Sequence, residues 1–234
     1  MRGEKRRAGS EAIAAMLLAL LQCAIAAAQD PAPISSLEVK LRKQIFKNER
    51  LSAYLLEIPP GQASLMHRHE TDMLGIFVSG GETRSTISGN PPKDETFAVG
   101  TVRFRPAGFT HSTENIGANM FRAVVVEFNS SMGAIETDKP DDSHYCNSGT
   151  ESACVDVKYL FCTARFCVQD VRIAPQAVWR NDNAGDRLRV AISDYQFSTH
   201  SGKSGEVEYI SHGSAKHWKN TGDKPARVAE VVFR

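Results

Sequence analysis

The sequence lacks an excess of charge of either sign. It has 28 lysine and arginine residues against 27 aspartate and glutamate residues over 234 positions, a net charge of +1 with neutral histidines. Nucleic acids and anionic membrane surfaces are bound by basic stripes or patches, and no such stripe stands out here. The charge pattern therefore gives no indication of a nucleic-acid partner or of electrostatic attachment to a membrane.

Long apolar runs are also missing, apart from one near the start. Residues 12–28 are rich in alanine and leucine, follow four basic residues and end in three alanines. This basic, apolar and small-residue order is typical of a secretory signal peptide, and a run of about 17 residues interrupted by a glutamine is a poor membrane span. We predict a signal peptide at residues 1–28 and a secreted or periplasmic protein without stable membrane insertion after cleavage. Cleavage would leave 24 basic and 25 acidic side chains, a net charge of −1.

Cysteine is scarce, and Cys23 lies within the predicted signal peptide. Four cysteines remain, namely Cys146, Cys154, Cys162 and Cys167. In an exported chain, four cysteines more often form two disulfides than a metal cluster. If Cys162 and Cys167 lie on one strand, five steps of about 3.3 Å hold them too far apart to bond. We therefore expect Cys146 and Cys154 each to pair with one of these strand cysteines, in either combination.

A long helical periodicity is absent after residue 28. Short apolar and β-branched runs, such as Thr101 to Arg105 and Phe121 to Phe128, alternate instead with glycine, proline and asparagine. This pattern favours an all-β fold, a barrel or a sandwich of antiparallel strands. Residues 131–157 change in composition to serine, aspartate, glycine and asparagine with two cysteines, and we predict that they form a linker.

The chain contains an internal repeat. At a constant offset of 105 residues, seven residues between Gly100 and Phe128 recur between Gly205 and Phe233, and an offset of 115 relates Ile58 to Ile173. Two tandem copies of one β unit are the simplest account of these matches. The repeat predicts a first barrel at residues 37–130 and a second at residues 158–234.

Histidine is scarce too, yet three of the seven fall in one stretch of short β segments. His67 and His69 alternate on a predicted strand and so project from one face. His111 follows a Pro-x-Gly turn that can present its ring to the same pocket. Neutral imidazoles suit a borderline first-row metal ion, and three protein nitrogens leave positions open for water, dioxygen or substrate. We predict that these three histidines bind a divalent metal ion.

The stretch from residue 61 to residue 115 resembles the two motifs of the cupin superfamily. The resemblance implies an all-β fold of tandem cupin barrels, that is, double-stranded β-helices or jelly rolls. It also implies a metal held by the three histidines, and a homodimer, but it fixes no reaction. The residues that carry it are Gly61, His67, His69 and Gly80 in the first motif, and Gly100, Pro106, Gly108, His111 and Asn115 in the second.

The first motif departs from the family at one position, where Met73 replaces a glutamate ligand. A three-histidine site without a carboxylate is similar to that of thiol dioxygenases. A local bulge would instead turn Asp72 inward as a carboxylate ligand, and Met73 itself would be a soft ligand for copper. We favour three histidines plus solvent, with Asp72 as the carboxylate to test.

The second unit lacks these ligands. Lys216 occupies the position that matches His111, and the offset of 115 places Asp182 and Ala184 at the positions of His67 and His69. We predict a degenerate second barrel without metal, which serves packing, dimerisation or closure of the first barrel.

The sequence thus predicts a metal-dependent enzyme that acts on a small organic molecule, with a three-histidine dioxygenase as the favoured form. Iron, manganese, zinc and copper are not distinguished. The competing hypothesis is a non-catalytic bicupin that binds a sugar or a metal or has a structural role. An open site beside a polar cavity would favour catalysis, whereas a filled barrel would favour the competing hypothesis.

Overall fold

The computed structural model of the chain describes residues 32–36, 39–147, 152–181, 185–214 and 216–234. From Pro33 to Arg234 the chain forms one compact unit. The predicted signal peptide at residues 1–28 lies outside the described residues. Within the described ranges, no helix is long and apolar enough to cross a membrane.

Ten strands form the first half of the molecule as two facing five-stranded sheets. One sheet has the order β1-β4-β9-β6-β7 and the other β2-β3-β10-β5-β8. The strands are β1 (Ile34–Ser35), β2 (Arg42–Lys47), β3 (Leu51–Ile58), β4 (His67–Arg68), β5 (Met73–Phe77), β6 (Gly81–Ile87), β7 (Lys93–Phe97), β8 (Val102–Arg105), β9 (Thr110–Asn115) and β10 (Phe121–Phe128).

The second half has a seven-stranded sheet and two short ladders. The sheet has the order β11-β13-β14-β21-β16-β19 with β12 also on β13, and the ladders are β15-β20 and β17-β18. The strands are β11 (Ile135–Glu136), β12 (Ser143–Cys146), β13 (Cys154–Thr163), β14 (Phe166–Ile173), β15 (Val178–Asn181), β16 (Arg187–Ala191), β17 (Tyr195–Gln196), β18 (Ser201–Gly202), β19 (Val207–Ile210), β20 (Lys216–Lys219) and β21 (Ala226–Phe233). The all-β prediction is confirmed.

The two halves repeat one pattern of strand pairing. In the β3–β10 ladder Ile58 lies opposite Phe121, and in the β14–β21 ladder Ile173 lies opposite Ala226. These are the two offsets seen in the sequence. The Asn115 side chain donates to the carbonyls of Ile58 and Asn119, and Asn220 donates to the matching carbonyls of Ile173 and Lys224. The shared asparagines therefore hold the same turn in both barrels.

Successive side chains of a strand point to opposite faces, and this alternation separates two cores. On β10, Ala123 and Val125 face the inside of the first barrel, while Val124 and Val126 face the second barrel. A shared core lies between the barrels. Its buried members from the first barrel are Leu51, Ala53, Leu74, Ile76, Val78, Val124, Val126 and Phe128, and those from the second include Phe166, Val168, Leu188, Val190, Ile192, Ala229, Val231 and Phe233.

The disulfides differ from the prediction. Cys162 bonds to Cys167, and Cys146 bonds to Cys154. The expectation that Cys162 and Cys167 share one strand was wrong, because the chain turns back after Thr163. Cys162 ends up directly opposite Cys167 on the next strand, with their Cα atoms 4.0 Å apart.

Residues 131–157, predicted as a linker, contain ordered strands. Strands β11 and β12 both pair with β13, and β13 itself begins at Cys154. Cys146 lies opposite Cys154 in the β12–β13 ladder. The described parts of this segment, residues 131–147 and 152–157, therefore extend the large sheet of the second barrel.

Candidate metal centre

Three histidines meet inside the first barrel because of the pairing of β4 with β9. His67 lies directly opposite His111 in this ladder, and the His69 backbone N–H donates to the Phe109 carbonyl. The ring centroids are 4.6 to 5.3 Å apart, and one nitrogen of each ring lies within 4.8 Å of the others. The structure therefore brings together the three histidines predicted from the sequence.

Hydrogen bonds orient two of the rings. His67 Nδ1 lies 2.8 Å from the Leu65 carbonyl oxygen, and His69 Nδ1 lies 3.1 Å from Glu127 Oε1. Both partners are acceptors, so each Nδ1 carries the proton and donates it. The Nε2 atom of each ring is left with its lone pair, and His69 Nε2 is 3.2 Å from His111 Nε2.

Burial keeps the imidazoles of His67 and His111 neutral at ordinary pH. It lowers the pKa of His67 to about 4, with a further lowering by the neighbouring His69. Burial also lowers the pKa of His111 to about 2, helped by repulsion from His67 and His69 in their charged forms. Neutral imidazoles have free lone pairs, which is the form that binds a metal ion.

The arrangement fits a first-row metal ion. Two imidazole nitrogens that share one ion at about 2.1 Å each lie about 3.0 to 3.4 Å apart, depending on the coordination angle. The observed separation of His69 Nε2 and His111 Nε2 is 3.2 Å. Three nitrogen donors suit zinc, copper and iron and do not select among them.

Glu127 on β10 supports the site and was missed by the sequence analysis. Burial favours its neutral form, but the hydrogen bond from His69 and the charge of Arg42 outweigh burial and lower its pKa to about 2. Arg42 Nη2 donates to the same Oε1 atom at 3.0 Å, and Arg42 Nη1 donates to the Ser36 carbonyl at 2.6 Å. One signal in the sequence pointed to Glu127, since it is the single carboxylate in the apolar strand Phe121–Phe128.

Asp72 does not join the three histidines. Its Oδ1 accepts a hydrogen bond from the Ala107 N–H at 2.8 Å, and its Oδ2 accepts one from the Met132 N–H at 2.7 Å. The side chain is buried and links the turn before β9 to the segment after β10. Met73 instead faces the barrel interior and lies opposite Glu127 in the β5–β10 ladder.

The three histidines open onto a cavity of about 520 Å³ inside the first barrel. This volume lies in the usual range of small-molecule sites. Part of the wall is aromatic, with the rings of Phe77 and Phe97 stacked at 4.1 Å and Phe121 beside both. Charged side chains line another part, and they include Arg42, Lys93, Glu95, Arg103 and Arg105.

No protein-family profile and no curated protein matches the sequence. Solved structures do match the fold. A glyoxylate-induced protein from Pseudomonas aeruginosa superposes with a TM-score of 0.58 at 13% identity, over 82% of this chain and 79% of that one. AerE from Microcystis aeruginosa superposes with a TM-score of 0.55 at 13% identity, over 83% of this chain and 97% of that one. A cupin 2 conserved barrel domain protein from Leptotrichia buccalis superposes with a TM-score of 0.51 at 12% identity, over 86% of this chain and 100% of that one. The chain has the tandem cupin fold.

In the part of the second cupin barrel that the structure describes, a buried arginine stands at the position that Gly75 has in the first. Arg189 on β16 lies opposite Glu230, as Gly75 on β5 lies opposite Val125 in the first barrel. The Arg189 side chain is 1% exposed, and its guanidinium forms an ion pair with Glu230 at 3.0 Å. It also lies over the rings of Trp218 and Trp179, at 3.8 and 4.6 Å from their centroids.

Strand pairing also refines the match between the two cupin barrels. Asn181 lies opposite Lys216 in the β15–β20 ladder, as His67 lies opposite His111. The counterpart of His67 is therefore Asn181 rather than Asp182. The predicted counterparts Asp182 and Ala184 lie outside the described residues.

A second group of metal-ligand residue types lies on the surface of the second cupin barrel. It consists of His144, Cys146 and Cys154. The two sulfurs are bonded to each other, and the His144 ring is hydrogen-bonded to Asp156. The disulfide thus occupies two of the three ligand atoms.

Proposed function

We propose that the first cupin barrel binds a divalent first-row metal ion through His67, His69 and His111 and acts there on a small organic molecule. The observation that carries this proposal is the contrast between the barrels. Three imidazole nitrogens converge on an open cavity in the first barrel, and the matching space in the second barrel is filled by Arg189. A three-histidine dioxygenase is the favoured form of this activity.

A bound metal ion would supply Lewis acidity or, as ferrous iron, a site for dioxygen chemistry. Residues around the three histidines would orient the ligands for this ion. Glu127 fixes the His69 ring, and Arg42 in turn holds Glu127. The apolar wall of Phe77, Phe97 and Phe121 would keep water from one side of the cavity.

We propose that the protein works in a secreted or periplasmic compartment. The two disulfides are compatible with an oxidising environment, and the composition of residues 1–28 is that of a signal peptide. The proposed division is a metal-binding barrel at 37–130, a connecting segment at 131–157 and a degenerate barrel at 158–234. A homodimer remains part of the proposal.

The second candidate is a bicupin that binds a small molecule or metal without catalysis. One observation favours it, namely that the two carboxylates beside the cavity are engaged in ion pairs. Glu127 pairs with Arg42, and Glu95 pairs with Arg103 at 2.8 Å and with Lys93 at 3.2 Å. Neither carboxylate is therefore placed as a free general base.

The metal site is tested by His111→Ala, with His212→Ala as a control at an exposed position. Both proteins and the wild type are purified and loaded with each candidate metal, and bound metal is measured by elemental analysis. We expect the wild type and His212→Ala to hold one ion per chain and His111→Ala to lose it with an unchanged far-UV circular dichroism spectrum. Wild-type metal content in folded His111→Ala would remove the assignment.

A further inference from the structure

Positive charge prevails in the cavity of the first barrel before any metal is bound. The cationic side chains are Arg42, Lys93, Arg103 and Arg105, and the carboxylates beside them are Glu95 and Glu127. Two more positive than negative groups are therefore present, and a divalent ion on neutral imidazoles would add to this excess. In a cavity partly screened from water, such a field attracts an anion.

Arg105 is the cation with no carboxylate to neutralise it. Arg42 and Arg103 each have a carboxylate within 3.0 Å. Across the part of the chain that the structure describes, no carboxylate lies within ion-pair distance of Arg105. Its guanidinium instead lies 5.2 Å from the centroid of the Phe109 ring, which leaves its N–H donors for a ligand.

Arg105 also lies beside the candidate metal centre. The Phe109 ring, over which the guanidinium lies, is 4.6 Å from the His111 ring between centroids. On β8, Arg105 is opposite Met73, which in turn is opposite Glu127, the partner of His69. A ligand bound by this guanidinium would therefore have its charged end next to the three histidines.

The rest of the cavity suits an apolar body. Phe77 lies four residues along β5 from Met73, a distance of about 13 Å, and forms the aromatic wall with Phe97 and Phe121. Gly75 lies between them and faces the cavity. Its lack of a side chain leaves open the space that Arg189 fills in the second barrel.

We propose that the first barrel takes an organic acid whose carboxylate is bound by Arg105 and whose apolar, aromatic-sized body lies along Gly75 against the phenylalanine wall. This rests on the proposed function for the position of the metal, but recognition of the acid by Arg105 stands on its own contacts. A planar guanidinium binds a carboxylate through two parallel N–H donors, which a lysine does not reproduce.

The test compares four probes by isothermal titration calorimetry on the metal-loaded protein: 3-phenylpropanoate, its neutral amide 3-phenylpropanamide, acetate and inorganic phosphate. We expect 3-phenylpropanoate to bind at least tenfold more tightly than the amide, because a charge-assisted pair in a partly buried site is lost with the carboxylate. It should also bind more tightly than acetate or phosphate, which have no apolar body.

The variants Arg105→Gln and Arg105→Lys test the donor, with Arg172→Gln on the exposed surface of the second barrel as a control. Arg105→Gln is expected to weaken the binding of 3-phenylpropanoate about tenfold or more. Arg105→Lys should bind it more tightly than Arg105→Gln but less tightly than the wild type, and Arg172→Gln should bind it with wild-type affinity. Metal content should stay at the wild-type level in all three variants. Equal binding of acid and amide, or unchanged affinity in Arg105→Gln, would overturn the proposal.

Gly75→Leu tests the apolar part of the ligand. A Cβ atom at Gly75 would meet the Met73 and Phe77 side chains at an ordinary contact distance of 3.7 Å, and the rest of a leucine side chain would extend toward the cavity that Gly75 lines; an unchanged far-UV circular dichroism spectrum serves as the check that the variant folds. We expect weaker binding of 3-phenylpropanoate with unchanged binding of acetate. Equal affinity of Gly75→Leu and wild type for 3-phenylpropanoate would place the ligand elsewhere.

The two proposals fail separately. A wild-type protein that holds no metal but still prefers the acid through Arg105 would refute the proposed function and keep this inference. A protein that holds the metal but binds the acid and its amide equally would refute this inference and leave the proposed metal site standing.

Discussion

At the scale of single residues, Glu127 offers the candidate site a carboxylate in place of the glutamate that position 73 lacks. Met73 and Glu127 face each other across β5 and β10, so a carboxylate is still present in this layer of the barrel. This carboxylate accepts a hydrogen bond from His69 Nδ1 and is not one of the candidate ligand atoms. Such supporting carboxylates fix the tautomer of a histidine ligand and increase its basicity.

Glu127→Gln is therefore expected to weaken metal binding about 10- to 100-fold, the usual effect of losing such a partner. The amide keeps the size of the side chain but not the charge that faces His69 and Arg42. Affinity is measured by competition with a chelating dye, with Glu82→Gln at an exposed position of the first barrel as the control. An affinity within twofold of the wild type would show that Glu127 has no part in the site.

The histidines were predictable from the sequence because their spacing carries the geometry. His67 and His69 share a strand face, and a turn after Gly108 brings His111 opposite His67. The orientation of Asp72 was not predictable, since it depends on two backbone N–H groups far along the chain. Arg105 gave no local signal either, because its role depends on which carboxylates the fold leaves near it.

At the scale of elements, the hairpin between β13 and β14 shows where pattern alone fails. Its turn follows Thr163 and contains no glycine, proline or asparagine. The Thr163 hydroxyl accepts hydrogen bonds from the N–H groups of Arg165 and Phe166. These bonds stabilise a turn that the amino-acid composition of the segment does not predict. The strands around it were predicted as one, and the disulfide pairing was wrong for that reason.

The pairing is checked by tryptic digestion without reduction. Trypsin cleaves after Arg165, between Cys162 and Cys167, but has no site between Cys146 and Cys154. We expect residues 159–165 and 166–172 to appear as one cross-linked pair in mass spectrometry and to separate on reduction. A cross-link from either of these peptides to the one that contains Cys146 and Cys154 would contradict the structure.

At the scale of the whole molecule, the two barrels hold each other by matching contacts. Arg122 of the first barrel donates to the Ser204 carbonyl of the second, and Arg227 of the second donates to the Val99 carbonyl of the first. The glycine after each carbonyl, Gly100 or Gly205, has positive φ and leaves room for the incoming guanidinium. The recurring pairs Gly100/Gly205 and Arg122/Arg227 therefore serve the contact between barrels, while the histidines, which do not recur, form the candidate site.

The shared core should make the candidate metal site depend on the second barrel. Phe166 is fully buried, and its ring stacks on Phe128 at 5.2 Å and meets Phe104 edge-on at 5.9 Å. Phe104 lies on β8 between Arg103 and Arg105, whose side chains face the cavity. Loss of the Phe166 ring should therefore loosen the wall of the first barrel although the residue belongs to the second.

We expect Phe166→Ala to lower the free energy of unfolding by about 3 to 5 kcal/mol, the usual cost of a phenylalanine deleted from a core. In a urea titration followed by circular dichroism and by a metal-sensitive dye, unfolding and metal release should shift together to lower urea. Ile135→Ala at an exposed position should leave both curves unchanged. If metal release in Phe166→Ala kept its wild-type midpoint while the dichroism signal shifted, the first barrel would be stable alone and the shared core would not support its site.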